Sequence, residues 1–234
     1  MAKKAKKRAA KSRAVKARKA KPAARISKPV ARAAKVDVTP WFEGKTFKTD
    51  WTSWHYPNWI KWLAPYQKRE LNVLEIGSWE GRSALFFLNY LPRCTITCID
   101  TFEGGQEHKA AEDAESELPK IEKHFDANTA EFRSRIEKIK APSAVALADL
   151  GVAGRKFDIA YIDGGHRSFE VYSDGMLTWP LMRKGGLVIF DDYQWEMMPE
   201  PLDNPKPGVD AFLKSAKGQF RNVHRKYQIA IEKA

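Results

Sequence analysis

The chain has 234 residues, 43% of them hydrophobic, with 41 Lys and Arg against 29 Asp and Glu, a net charge of +12 and a pI near 9.6. That length suits one α/β domain with an appendage, and no apolar run reaches the ~18 residues a membrane span needs, so membrane insertion is excluded and a cytoplasmic protein is expected. The charge is uneven: residues 1–35 hold 15 of the basic residues and no acid, leaving 26 bases against 29 acids beyond them, so the basic total does not mark the rest as a nucleic-acid-binding fold.

Residues 1–35, rich in Lys, Ala and Arg, are expected to be a disordered tail, because dense like charges repel and there is little apolar surface to bury. Weak, salt-sensitive contact with nucleic acid is one reading of such a tail, and a solvated segment without a partner is the other. A transit peptide fits less well, since Lys outnumbers Arg ten to five and only Ser12 and Ser27 supply serine. Residues 36–70 hold five of the chain's eight tryptophans, Trp41, Trp51, Trp54, Trp59 and Trp62, broken into short pieces by Pro40, Pro57 and Pro65, with a short helix expected over Pro57–Ala64. Such a segment packs over a domain edge as a cap, forms a lid on a pocket, or does both.

Residues 71–234 alternate short apolar runs with helical stretches. Strands are expected at Val73–Ile76, Thr95–Ile99, Ile136–Ile139, Phe157–Ile162 and Leu187–Phe190. Helices are expected at Ser83–Leu91, in the charged stretch 108–135, at Phe169–Met182 with Gly185-Gly186 as its stop, and at Val209–Ala216. Phe220–His224 and Gln228–Glu232 read as a closing pair of strands. The pattern predicts an α/β fold: a doubly wound, mostly parallel, Rossmann-like sheet with an antiparallel C-terminal edge. Cys94 and Cys98 share one face of a strand about 13 Å apart, too far to bridge, and read as small buried apolar side chains.

The chemistry concentrates at strand ends. Val73-Leu-Glu75-Ile-Gly77-Ser-Trp79-Glu-Gly81-Arg-Ser83 is a strand, a glycine turn and a helix start, which presents backbone N–H groups to a ligand. A dinucleotide fingerprint would need glycine at 79 and 82, where this chain has Trp79 and Arg82, so a NAD-dependent oxidoreductase is disfavoured and a cofactor without phosphates fits better. Asp100, about twenty residues on at the end of strand two, is placed to accept hydrogen bonds from ribose hydroxyls. Asp163, Asp191 and Asp192 follow strands four and five, where open α/β sheets bind ligands. Converging carboxylates repel unless a cation joins them, and oxygen ligands suit Mg²⁺ or Ca²⁺. His166, three residues past Asp163, is placed to act as a general base. His55, His108, His124 and His224 receive no role.

The run Glu75-Ile-Gly77-Ser-Trp79-Glu-Gly81-Arg-Ser83 resembles the glycine motif of catechol O-methyltransferase-like enzymes, a group of class I S-adenosylmethionine (SAM)-dependent methyltransferases. Asp163 and Asp191-Asp192 resemble that group's metal-binding acids. The third ligand there is often Asn, where this chain has Asp192. The lysine base of the catechol enzymes falls at His166, a substitution similar to that in macrocin O-methyltransferase and its relatives. The resemblance covers roughly residues 54–232. It implies metal-assisted transfer of a methyl group from SAM to the hydroxyl of a small-molecule acceptor, with Mg²⁺ or another divalent cation. By it, Glu75, Gly77, Trp79, Gly81 and Ser83 hold the methionine end, Asp100 the ribose, and Ser143 lies near the adenine. Asp163, Asp191 and Asp192 hold the metal, with Asp163 and His166 catalytic. An RNA or protein methyltransferase tethered to its substrate by the tail, or a non-catalytic nucleic-acid-binding protein, are the alternatives. The acceptor's identity, oxygen against nitrogen as accepting atom, and the oligomeric state stay open.

Overall fold

Seven strands form one sheet: β1 (Leu71–Ile76), β2 (Cys94–Asp100), β3 (Ile136–Lys140), β4 (Phe157–Ile162), β5 (Met182–Phe190), β6 (Phe220–Arg225) and β7 (Ile229–Lys233), in the order β3-β2-β1-β4-β5-β7-β6. The computed structural model describes residues 36–234, without the side chains of Gln106 and Glu107; the tail expected over 1–35 lies outside the described residues. β1 to β5 run parallel, and β7 is antiparallel to both β5 and β6. The fold is the expected doubly wound α/β sheet with an antiparallel edge. The chain moves outward from β1 to β3 and then crosses back to β4, so β1 and β4 flank the switch point where open α/β sheets form their ligand crevice.

The helices are α1 (Tyr56–Leu63), α2 (Arg82–Tyr90), α3 (Gln106–Lys109), α4 (Ala114–Asn128), α5 (Ser143–Val152), α6 (Ser168–Thr178) and α7 (Pro205–Ser215). Strand side chains alternate between two cores. Val73, Cys98, Tyr161 and Ile189 pack with α1 and α2 on one face; Leu74, Ala160, Val188 and Phe190 pack with α5, α6 and α7 on the other. Both cysteines are buried and free. Among the described residues no helix is long and apolar enough to cross a membrane.

Two elements depart from the sequence reading. The helix expected over Phe169–Met182 ends at Thr178, because Pro180 has no N–H to continue the ladder. Gly185 and Gly186, read as its stop, lie inside β5 instead. Helix α5 was outside the expectations: its Ala- and Leu-rich sequence carries little polar alternation to announce it.

The aromatic segment 36–70 shares the domain's first core. Trp59 is fully buried, stacks on Phe87 at 5.3 Å and meets Phe86 and Tyr161 edge-on at 5.2 and 5.0 Å. Its indole N–H donates to Gln228 Oε1 at 2.9 Å, which ties α1 to the turn between β6 and β7. Replacing Trp59 with alanine is expected to cost about 3–5 kcal/mol of stability, measured as a lower urea midpoint at unchanged m-value.

Candidate active site

The loops that leave β1, β2, β4 and β5 at their carboxyl ends enclose a cavity of about 1000 Å³. Gly77, Trp79, Asp100 and Ser143 border it, and so do Asp163, His166, Asp191 and Asp192. Glu75, Gly81 and Ser83 lie beneath the glycine turn, off the cavity wall: Glu75 and Ser83 are buried, and Gly81 faces Thr129 and Phe125.

Among the described residues three non-glycines have positive φ, Trp79 at 47°, Phe102 at 57° and Asp192 at 55°; all three lie in loops leaving strand carboxyl ends, and Trp79 and Asp192 border the cavity. Such backbone costs about 1–3 kcal/mol per residue and persists only where surrounding bonds hold it. Here those bonds come from strand-end aspartates. Asp100 Oδ2 accepts the N–H groups of Ser78 and Trp79 at 2.7 and 2.8 Å, and Oδ1 accepts that of Phe102 at 2.7 Å. Asp191 Oδ1 accepts the N–H of Asp192 at 2.7 Å. Asp100 therefore clamps two turns at once, and three of its roughly four lone-pair sites are taken before any ligand arrives.

Asp191 is a buried hub. Its Oδ2 accepts from the Tyr161 hydroxyl and from Gln228 Nε2 at 2.9 Å, and His55 Nε2 lies 3.4 Å from Oδ1. The same Tyr161 hydroxyl lies 2.8 Å from Asp163 Oδ2. Burial, then the charges of Asp191 and Asp192, pushes the Asp163 carboxyl well above the usual range. Burial also opposes ionisation of Asp192, but hydrogen bonds from His166 and Tyr227 outweigh it and hold that carboxyl low. His166 Nε2 is 3.1 Å from Asp192 Oδ2, and the Tyr227 hydroxyl donates to Asp192 Oδ1 at 2.6 Å. Ligating atoms of Asp163, His166 and Asp192 lie within 4.8 Å of one another, a grouping that could hold a metal ion. Asp191 stands beside this group with its oxygens engaged elsewhere.

Aromatic rings wall the cavity on two sides. Trp51, Trp79 and His108 cluster with centroids 4.5–5.6 Å apart near the glycine turn. Trp54 meets Tyr227 at 4.6 Å, and Trp195 meets His166 at 4.6 Å, beside the acids. The sequence reading gave no role to Tyr161, Tyr227, Gln228, His55 or Trp195. Tyr161 had a signal, since it lies in β4 two residues before Asp163; Gln228 and His55 had none.

Glu75 has a measurable consequence for stability. Burial raises its carboxyl from 4.5 to about 7, against the lowering pull of Ser78, Ser83 and Cys98. Below pH 4.5 the group is protonated folded or unfolded. Between pH 4.5 and 7 the unfolded chain ionises while the folded one keeps the proton, so stability falls by about 3 kcal/mol across that window and stays lower above it. Glu75→Gln should therefore match the parent at pH 4 and exceed it in urea stability at pH 8.

A family model described as a methyltransferase domain matches residues 74–193. Over 154 residues the chain is 27% identical to mycinamicin VI 2''-O-methyltransferase of Micromonospora griseorubida, covering 63% of this chain and 33% of that protein. Over 135 residues it is 28% identical to an uncharacterized protein of Acanthamoeba polyphaga mimivirus, covering 55% and 54%. The chain thus spans between a third and about half the length of these curated relatives. Its fold is similar to that of a methyltransferase from the mycinamycin biosynthetic pathway, solved with Mg, SAH and mycinamycin VI, at a TM-score of 0.57 and 21% identity over 84% of this chain and 53% of that one. The glycine turn and the strand-end acids Asp100, Asp163, Asp191 and Asp192 fall within the matched stretch 74–193, and the chain belongs to the methyltransferase-domain family.

Proposed function

We propose that the chain is a SAM-dependent methyltransferase acting on a hydroxyl of a small-molecule acceptor, with a divalent cation, Mg²⁺ foremost, at the acid cluster. The observation that carries this reading is the convergence of Asp163, His166 and Asp192 from two strand ends on the cavity that the glycine turn also borders. Its support among relatives is the mycinamicin enzyme and the similar structure solved with Mg and SAH.

The donor set fits the cation. Asp163 and Asp192 offer hard oxygens that repel one another without it, and His166 lies within reach. When bound there, the cation would lower the pKa of an acceptor hydroxyl. The opposite side fits an adenosyl ligand: Gly77 leaves the turn without a side chain, Trp79 and Ser143 border the space, and Asp100 keeps one lone-pair site for a ribose hydroxyl. SAM would supply the methyl group, and no oxyanion hole is needed because charge is neutralised in the step.

The chain's own residues then position and move a proton. Asp192 orients His166 through the 3.1 Å contact, and Tyr227 and Asp191 fix Asp192 in its left-handed backbone. His166 takes the acceptor's proton. Aligning donor and acceptor in a walled cavity can supply up to about 7–11 kcal/mol. In His166→Ala, turnover of SAM to SAH should fall by about 10²–10⁴-fold. The deficit should be largest at low pH and shrink as the acceptor's own ionisation replaces the base. A pH profile parallel to the parent's would return His166 to a structural role.

A further inference from the structure

We propose that the acceptor end of this cavity selects by charge, taking hydroxylated molecules that are uncharged or, preferentially, carry an ammonium group on an apolar body, and rejecting anions. The proposal rests on the methyl-transfer reading of the cavity and names the class of acceptor. Among the described residues seven carboxylate side chains line the whole cavity against two permanent cations, Lys109 and Arg167; with Asp100 on the adenosyl side and Asp50 paired to Arg82, five remain for the acceptor end, Asp163, Glu170, Asp191, Asp192 and Asp203. Both cations are already engaged. Arg167 Nε lies 3.1 Å from Asp203 Oδ1, and Lys109 Nζ lies 3.8 Å from Glu103 Oε2. A divalent ion at Asp163 and Asp192 leaves the wall negative.

A second, independent observation concerns the apolar side of the same end. Trp54 is 54% exposed and Met197 74% exposed, and Trp195, partly buried, packs on His166. Large apolar side chains left in water at a cavity mouth mark a contact surface. Indole faces attract cations, and more strongly when the site is partly dry. Trp54 packs on Tyr227 and Trp195 on His166, the two side chains bonded to Asp192. An ammonium group seated on either indole would meet ring face and carboxylate together. A phosphate or carboxylate in that place would meet like charge, which sets the cavity against phosphate-bearing acceptors such as RNA.

The test uses the full chain with Mg²⁺ and S-adenosylhomocysteine, and three chelating diols that share one head and differ in charge: catechol, dopamine and 3,4-dihydroxybenzoate. Four of the chain's eight tryptophans line the cavity, so intrinsic fluorescence reports occupancy. Dopamine should bind at least about tenfold tighter than dihydroxybenzoate, about 1.4 kcal/mol, with catechol between. Asp203→Asn, which releases Arg167, should shrink that ratio, and Glu170→Gln at the same rim should do so independently. Equal affinities, the reverse order, binding of none of the three, or an unchanged ratio in both variants overturns the proposal. Calorimetry with S-adenosylhomocysteine alone keeps the two readings apart: absence of that binding defeats the methyltransferase reading, whereas binding without charge discrimination defeats only this inference.

Discussion

Replacing Asp163 with alanine should cut methyl transfer by about three orders of magnitude, roughly 4 kcal/mol of transition-state stabilisation, while SAM still binds. The side chain lies on the acid side of the cavity, bonded to Tyr161 and close to His166 and Asp192, and takes no part in the bonds that hold the glycine turn. Removing one carboxylate from a like-charge group relieves repulsion, so the variant's melting temperature should hold or rise. That separates lost chemistry from lost fold. An excess of chelator on the parent protein should reproduce the loss. Release of S-adenosylhomocysteine measures turnover, and calorimetry with SAM measures binding. Turnover above about a tenth of the parent's, in variant or chelator, would remove the acid cluster from the chemistry.

The second large effect is at Gly77. Its φ is +83°, and a Cβ there would stand 1.9 Å from the carbonyl oxygen of Asp163, inside the contact between the β1 and β4 turns at the switch point. Left-handed backbone alone costs a side chain about 1–2 kcal/mol. The overlap adds the cost of parting two turns, and backbone cannot rotate away as a flexible side chain can. Gly77→Ala should lose about 4 kcal/mol or more of stability and lose SAM binding with it. Gly218 supplies the control, with φ +82° and open space around its would-be Cβ. Gly218→Ala should cost only the backbone portion, about 1–2 kcal/mol. Similar urea midpoints for the two variants would show that the close approach at Gly77 contributes nothing.

The fold was largely legible in the sequence because its signals are local. Phe157–Ile162 reads as a strand from its apolar run and is one over those residues. The acids at 100, 163, 191 and 192 announce strand ends because carboxylates directly after an apolar run favour the solvated rim, although Glu75 and Asp158 show that a strand can also bury one. The misplaced end of α6 shows where local reading fails. Two glycines look like a stop, but Pro180 had already broken the helix, and the glycines were free to continue as strand.

Within the site, local sequence marked which positions carry carboxylates but not what each carboxylate does. Asp100 and Asp191 border the cavity, as their positions suggest, and each also accepts backbone N–H groups in the strained turns, Asp100 those of Ser78, Trp79 and Phe102 and Asp191 that of Asp192. Asp163 and Asp192 are the pair left facing one another with His166. That division depends on partners far along the chain: Gln228 stands 37 residues from Asp191, and His55 comes from the aromatic segment before the first strand. The sequence by itself determined the strand–helix alternation, the glycine turn and the row of acids, since each follows from residue types within a few positions of one another. Only the tertiary structure decided which of these cavity-bordering acids also brace the loops and which gather with His166. Hydrogen-bond partners are set by distance in space, and a carboxylate's lone pairs go to whichever donors the packed chain brings within 3 Å.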